Sequence, residues 1–346
     1  MMKRRVLHIL SSDGLAGAEN VAICIINNLS EFSESVYSSP MGSIEKILDS
    51  RGITYLPMNK LSIMQIRKVM KKWKPDIIHA HDFTATLLSL VATFNTPVVS
   101  HIHQFPEWLK SVNKLSILFF LACIKIKKII VVTPAIKEST FLSRIYNEKS
   151  IVIKNIVDVN WIAEKASLPT EKSYDVAFVG RLEDVKDPIR FINIISELVK
   201  EFPIVSVVIM GEGRLEGQCR DLIKKLDLEK NIDLIGFMNN PYPVLQNSKI
   251  LVMTSKSEGL PMVAIEALSM GKPIVVPNLE GIESIVNSNC GVICNEDQEF
   301  ITAILKLLLS EKEYEEMSLS ASKKAEEMFN MADYKNQLQQ VYSSVL

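Results

Sequence analysis

The chain has 346 residues, 47% hydrophobic and 23% charged, a length that suits two domains and a composition that excludes intrinsic disorder. Its formal net charge of −1 conceals an asymmetry: residues 1–165 carry 21 Lys+Arg against 13 Asp+Glu, the remainder 18 against 27. A basic front half implies a polyanion or an anionic membrane surface as partner, and five scattered cysteines, an odd number, exclude a disulfide framework.

Residues 6–10 are the first apolar run. It follows Lys3-Arg4-Arg5 and ends in Ser11-Ser12-Asp13-Gly14, too short for the apolar region of a secretory signal. Further strands are expected at 35–39, 54–57, 76–79, 98–101, 129–132 and 151–153. Helical periodicity lies between most of them, as at 18–32 and 63–73. The most apolar later run, 115–124, is about half the length of a bilayer span, so a cytoplasmic chain without a transmembrane segment is expected. The polar, aperiodic stretch 166–173 reads as a linker. The rhythm restarts at 175–179, 206–210, 232–235, 250–253, 273–276 and 291–293, and helical stretches at 297–309, 311–329 and 332–345 close the chain. Alternating strands and helices predict the α/β class, with two Rossmann-like doubly wound domains, 1–165 and 166–330. The last helix, within 331–346, is expected to pack back on the first domain. Ligands of such sheets bind at the carboxyl ends of the strands, here in a cleft between the domains. Cys290 and Cys294 lack the second ligand pair of a zinc site; all the cysteines read as buried free thiols of a reducing compartment.

The densest chemistry follows the strand at 250–253, in Ser255-Lys-Ser-Glu-Gly-Leu-Pro-Met-Val-Ala-Ile-Glu266. Pro261 suits the first position of a helix, whose N-terminal N–H groups and dipole attract phosphate. Gly259 lets a ligand approach the backbone. Glu258 precedes the helix and Glu266 lies ~7.5 Å along it from Pro261, at 1.5 Å per residue. Two carboxylates so spaced suit the vicinal hydroxyls of two sugars; the plain alternative is a surface pair. A second constellation, Val179-Gly-Arg-Leu-Glu-Asp-Val-Lys186, puts Gly180, Arg181 and Lys186 on the loop after a strand. Two cations there can stabilise a leaving diphosphate, each gaining roughly 4 kcal/mol per charge pair at 4 Å and an effective dielectric of 20. No Asp-x-Asp, the carboxylate pair that commonly holds a diphosphate-bridging metal, occurs.

These pieces, in order, resemble the retaining glycosyltransferases of family four over nearly the whole chain. The matching segments are Gly14-Leu-Ala-Gly-Ala-Glu19, His79-Ala-His81, Pro97-Val-Val-Ser-His-Ile-His103, Asn155-Ile-Val-Asp158, Val179-Gly-Arg with Lys186, Gly211-Glu-Gly213, Ile235-Gly-Phe237, and Glu258 with Glu266 as E-x7-E. The resemblance implies a GT-B fold, a nucleotide-sugar donor with uridine as the expected base, no metal and no other cofactor. It implies that Arg181 and Lys186 grip the diphosphate and that Glu266 takes the ribose. Glu258, with Gly259 and Leu260, would hold the transferred sugar. Gly14 and Gly17 would face the diphosphate from the first domain, Gly180, Gly211, Gly213 and Pro261 would shape the donor pocket, and Phe237 would flank the base. His103 occupies a position where the family often has a histidine near the reacting sugar. His79, His81 and His101 read as structural, with His81 on the acceptor side as an alternative; a zinc site of these four lacks a catalytic carboxylate. Two departures stand out: Ile156 replaces the usual glycine after Asn155, and Ser284 stands where a glutamate is expected, with Glu283 one place early.

The resemblance implies transfer with retention to a glycan or lipid-linked acceptor in polysaccharide biosynthesis, without nucleic acid. The basic front half supplies a reason for peripheral attachment at the inner membrane face. Lys68, Lys71, Lys72 and Lys74 surround Trp73, and residues 107–128 mix apolar side chains with Lys110, Lys114, Lys125, Lys127 and Lys128. A core helix with solvated lysines is the alternative. An epimerase of the same fold and a non-catalytic partner subunit are the rival functions. A nicotinamide oxidoreductase is disfavoured, since no G-x-G-x-x-G follows an early strand.

Overall fold

The computed structural model describes residues 3–103, 111–132, 148–170, 172–258, 260–279, 282–328 and 330–346. It divides into two compact units, residues 1–156 with 330–346, and residues 157–329.

The first unit is built on a parallel sheet of β1 (Arg4–Ile9), β2 (Ser33–Ser38), β3 (Ile77–Ala80), β4 (Val98–Ile102), β5 (Lys128–Val131) and β6 (Ser150–Val152) in the order β2-β1-β3-β4-β5-β6. Every residue of β3 and β4 is buried, including His79 and His101, as expected of central strands covered on both faces. Between strands lie α1 (Gly17–Asn28), α2 (Ile44–Ser50), α3 (Ile63–Trp73), α4 (Phe83–Ala92) and α5 (Lys114–Lys125). Ser62 caps α3, Asp82 caps α4, and Asn113 and Ser116 form a capping box on α5. The strand expected at 54–57 is reduced to isolated bridges, Tyr37 with Tyr55 and Pro40 with Met58.

The second unit starts with α6 (Val159–Ala166), capped by Asp158, whose Oδ1 accepts from the Trp161 N–H. There follow β7 (Tyr174–Val179), α7 (Pro188–Glu201), β8 (Val207–Met210), α8 (Glu216–Lys225), β9 (Ile232–Gly236), α9 (Tyr242–Gln246), β10 (Ser248–Val252), α10 (Met262–Ser269), β11 (Ile274–Pro277), β12 (Gly291–Cys294), α11 (Asp297–Leu309) and α12 (Glu311–Met328). The parallel order is β12-β11-β10-β7-β8-β9. Phe191, Ile195 and Leu198 of α7 and Phe300 and Ile304 of α11 bury against this sheet. The boundary lies before α6 rather than after residue 165, because α6 packs on α9 and α10. The final helix, α13 (Met331–Ser344), belongs to the first unit, where Tyr342 is fully buried.

In each sheet the chain reverses direction of growth once, between β1 and β3 and between β7 and β10. Loops leaving the carboxyl ends of adjacent strands diverge at such a point and leave a crevice. The fold thus marks two positions: the loops after β1 and β3, and those after β7 and β10.

Candidate functional site

In the second unit the loops after β7 and β10 are those with the two charged constellations, so strand order brings together residues 72 positions apart. The Lys186 ammonium donates to Glu258 Oε1 at 2.5 Å, and the Ser255 hydroxyl donates to the same oxygen at 2.6 Å. The Lys186 and Glu258 side chains are only 20% and 11% exposed, enough to face a ligand while the ion pair is partly shielded from water. The pair is held from behind. Thr254 Oγ1 donates to the carbonyls of Lys186 and Asp187 at 3.2 and 2.9 Å, the Lys256 N–H to the Val185 carbonyl at 2.8 Å, and Lys256 Nζ to Asp187 at 3.1 Å. Asp187 caps α7 from a left-handed conformation, φ 48°, which a non-glycine residue keeps only where neighbours fix it.

Arg181 is exposed on the same loop. Neighbouring Glu183 has its carboxyl held below the usual range by the Arg214 N–H, with the charges of Arg214 and Arg181 adding. The glycines of β8's loop lace it to the Lys186 loop. The Gly211 N–H donates to the Gly236 carbonyl, its φ is +150°, and a Cβ there would meet the Gly180 carbonyl oxygen at 1.9 Å. Only glycine fits. Gly213 packs likewise, a Cβ meeting the Leu182 carbonyl at 2.5 Å. Gly180 leaves room beside the Lys186 stem.

Helix α10 begins at Met262, with Pro261 as the extended N-cap (ψ 109°) rather than the first helical residue; the N-terminal N–H groups it offers are those after the proline. Leu260 and Pro261 are buried, and Gly259 lies outside the described residues. Glu266 is buried on α10, and its Oε1 accepts from the Tyr242 hydroxyl at 3.2 Å. Tyr242 meets Trp161 edge-on, centroids 5.4 Å apart. At the end of β9, Gly236 adopts φ +78° and leaves Phe237 39% exposed, an aromatic face open to a planar ring. Tyr242, Thr254 and Ser255 escaped the sequence reading; only Ser255, three residues before Glu258, carried a local signal.

In the first unit, the Ser11 N–H donates to Asp82 Oδ2 at 2.8 Å, joining the loops after β1 and β3. Gly14 sits in a turn closed by Ser12, whose hydroxyl accepts from the Gly14 N–H at 3.2 Å. Gly17 opens α1, whose start has no side-chain cap, leaving N-terminal N–H groups for an anion. His103 stands just beyond β4, partly exposed. It joins the other four histidines of the chain in one cluster that includes His8, which the sequence reading passed over. His8 Nδ1 and His81 Nε2 are 2.9 Å apart, and His81 Nδ1 and His103 Nε2 3.2 Å. His79 Nδ1 lies 2.7 Å from the Tyr342 hydroxyl. Burial pushes all five imidazoles down, His8 and His103 to about 3, so they are neutral at physiological pH.

Asn155 is buried at the end of the first unit, directly before the boundary, and Glu283 and Ser284 form a 3₁₀ turn. Glu280 and Gly281 lie outside the described residues. All five cysteines are free and buried. Among the described residues no helix is long and apolar enough to cross a membrane.

Comparison with known proteins bears on both units. Residues 160–324 match the family described as glycosyl transferases group 1, and residues 44–161 match glycosyltransferase family 4. An uncharacterized glycosyltransferase of Methanocaldococcus jannaschii is 27% identical over 235 residues, covering 61% of this chain and 57% of that protein. The UDP-Gal:alpha-D-GlcNAc-diphosphoundecaprenol alpha-1,3-galactosyltransferase of Escherichia coli is 24% identical, over 98% of this chain and 97% of its own. Among solved structures, Anabaena HepE in complex with UDP-glucose superposes with a TM-score of 0.86 at 19% identity, covering 98% of this chain and 99% of that one.

Proposed function

This chain belongs to the group 1, family 4 glycosyltransferases and has their GT-B fold, and from that premise we propose that it transfers a sugar from a UDP-sugar, with retention and without a metal, to a glycan or lipid-linked acceptor. The observation that carries the reading is the Lys186–Glu258 pair at the switch point of the second sheet, next to the start of α10. The UDP-glucose bound to HepE and the lipid-diphosphate acceptor in the name of the Escherichia coli relative support the donor and acceptor classes.

In this reading Lys186 and Arg181 bind the diphosphate, with the N–H groups at the start of α10. Glu258 orients the transferred sugar and Glu266 takes the ribose hydroxyls. Phe237 stacks on the base. Gly14 and Gly17 approach the donor, and His103 the reacting sugar. The bond from the anomeric carbon to the β-phosphate oxygen breaks as the acceptor oxygen bonds to the same face of that carbon. The acceptor's proton passes to the departing phosphate oxygen. Glu258, already paired with an ammonium and a hydroxyl, is a poor nucleophile, which favours this front-face path over a glycosyl-enzyme intermediate. The two cations stabilise the charge that develops on the leaving group.

Glu266→Gln tests the donor assignment. Hydrogen bonds to a charged acceptor contribute about 1.5–3 kcal/mol, so UDP affinity measured calorimetrically is expected to fall about 10- to 100-fold. An unchanged Kd removes Glu266 from the site. Conversion of the donor sugar without any acceptor, in the wild type, would favour an epimerase instead.

The acceptor side carries a second proposal. Leu115, Ile117, Leu118, Leu121 and Ile124 of α5 are 47–58% exposed, while Phe119, Ala122 and Cys123 of the same helix are buried. The core accounts for one face only. Lys114 and Lys125 sit on α5, and exposed Lys127 follows it; apolar and basic side chains together suit an anionic lipid surface at the inner face of the membrane. The other basic segment contributes less: Trp73 is half-buried beneath the Arg5 guanidinium, 4.3 Å from its ring centre, and Trp108 lies outside the described residues. Co-sedimentation with vesicles containing anionic lipid at low salt is expected, and Leu121→Ser with Ile124→Ser should reduce it severalfold. Equal sedimentation with purely zwitterionic vesicles, or none at all, contradicts the proposal.

A further inference from the structure

The carboxylate of Glu258 is held unevenly. Both of its donors, the Lys186 ammonium at 2.5 Å and the Ser255 hydroxyl at 2.6 Å, converge on Oε1. Oε2 accepts no hydrogen bond among the described residues and is not sealed from solvent. One oxygen is thus occupied by the protein, and the other keeps its lone pairs for a ligand.

The two donors differ in what they can enforce. The last torsion of a glutamate side chain is broad, so the carboxylate turns easily unless its oxygens are fixed. An ammonium on a flexible four-carbon stem can follow that turn. Ser255 cannot. Its side chain is a single short rotor on a buried residue, 3% exposed, and its hydrogen bond to Glu258 is the only one it makes among the described residues. The backbone on both sides is pinned. Thr254 donates to the carbonyls of Lys186 and Asp187, and the Lys256 N–H donates to the Val185 carbonyl.

We propose that Ser255 is a positioning residue: it fixes the Glu258 carboxylate so that Oε2 alone meets the transferred sugar. The proposal rests on the reading that Glu258 orients that sugar. Lys186 spends one of its three N–H donors on Oε1, and two are left for the diphosphate. Ser255 acts through Glu258 and touches no substrate. A hydroxyl kept only for loop stability would affect every ligand of the loop alike; one that orients Glu258 affects the sugar and spares the nucleotide.

Calorimetric titration of the full chain with UDP and with UDP-sugars separates these roles. The probe is whichever of UDP-glucose, UDP-galactose and UDP-N-acetylglucosamine the wild type binds, and the readout is the ratio of its Kd to that of UDP. Ser255→Ala is expected to raise this ratio about 3- to 10-fold, the scale of one lost hydrogen bond, with the Kd of UDP unchanged. Ser255→Cys, which nearly keeps the volume and has only a weak donor, should do the same if the alanine variant fails to fold. In a Glu258→Gln background, Ser255→Ala should add nothing further. A parallel rise in both dissociation constants, or a full effect of Ser255→Ala on top of Glu258→Gln, overturns the positioning role. So does an unchanged ratio in Ser255→Ala when Glu258→Gln raises it. An unchanged ratio in Glu258→Gln itself overturns instead the reading of Glu258 at the sugar, and the proposal falls with it.

Discussion

Lys186→Gln is expected to lower kcat by about 10²- to 10³-fold, the usual effect of deleting one preorganised group that meets developing charge. Glutamine is the informative replacement. Lys186→Ala would leave Glu258 with the Ser255 hydroxyl as its hydrogen-bond donor. Breaking a fully buried ion pair costs about 3–5 kcal/mol, and this pair, with 20% and 11% of its side chains exposed, falls below that range. A glutamine amide keeps a donor for Glu258 while removing the charge. Steady-state turnover and thermal melting of Lys186→Gln should therefore separate: activity lost, melting temperature little changed. Near-normal turnover would strip Lys186 of its role at the leaving group.

Mild acid should loosen the first unit and leave the second intact. His8, His79, His81 and His101 are at most 1% exposed, and burial lowers each below its ordinary value near 6.5. The native unit therefore binds fewer protons than the unfolded chain once pH drops below about 6.5. Stability is fully present above that pH and is lost as pH falls, continuing to about 3 for His8. At pH 5 each buried imidazole costs up to about 2 kcal/mol, so four cost up to about 8, comparable with the whole stability of a domain. The second unit contains no histidine and serves as the internal control. Hydrogen exchange followed by peptide should show β1, β3 and β4 losing protection between pH 7 and 5, with β7, β8 and β10 retaining theirs at matched intrinsic rates. Equal loss in both sheets would show that the histidines are not the cause.

Much of this architecture was legible from local periodicity. Short, mostly apolar runs marked β1, β3, β4, β7, β8, β10 and β11, with His8, His79 and Ser100-His101 as buried exceptions in the first three, because strands covered on both faces need no polar alternation. Position 54–57 failed for a related reason: a short edge segment satisfies the same pattern with only two bridges. The domain boundary was misplaced because α6 looks like the end of one domain in sequence, yet it buries Ile162 and Ala166 within the second. Lys186 and Glu258 were each recognisable, but their pairing depends on β7 lying beside β10, which no local pattern states. Tyr242 behind Glu266 and Thr254 behind Lys186 share that origin. The histidine chain was half visible: alternation within His79-Ala-His81 and His101-Ile-His103 put each pair on one strand face, while His8 joins only through the register of β1 against β3.

In the proposed reaction protein-borne cations replace a divalent metal at the leaving diphosphate. The most direct test is initial-rate sugar transfer by chelator-treated enzyme, with and without added magnesium or manganese, once a donor and acceptor pair has been identified by mass spectrometry. Equal rates in both conditions are expected. An enzyme that is inactive after chelation and restored by the divalent ion would contradict it.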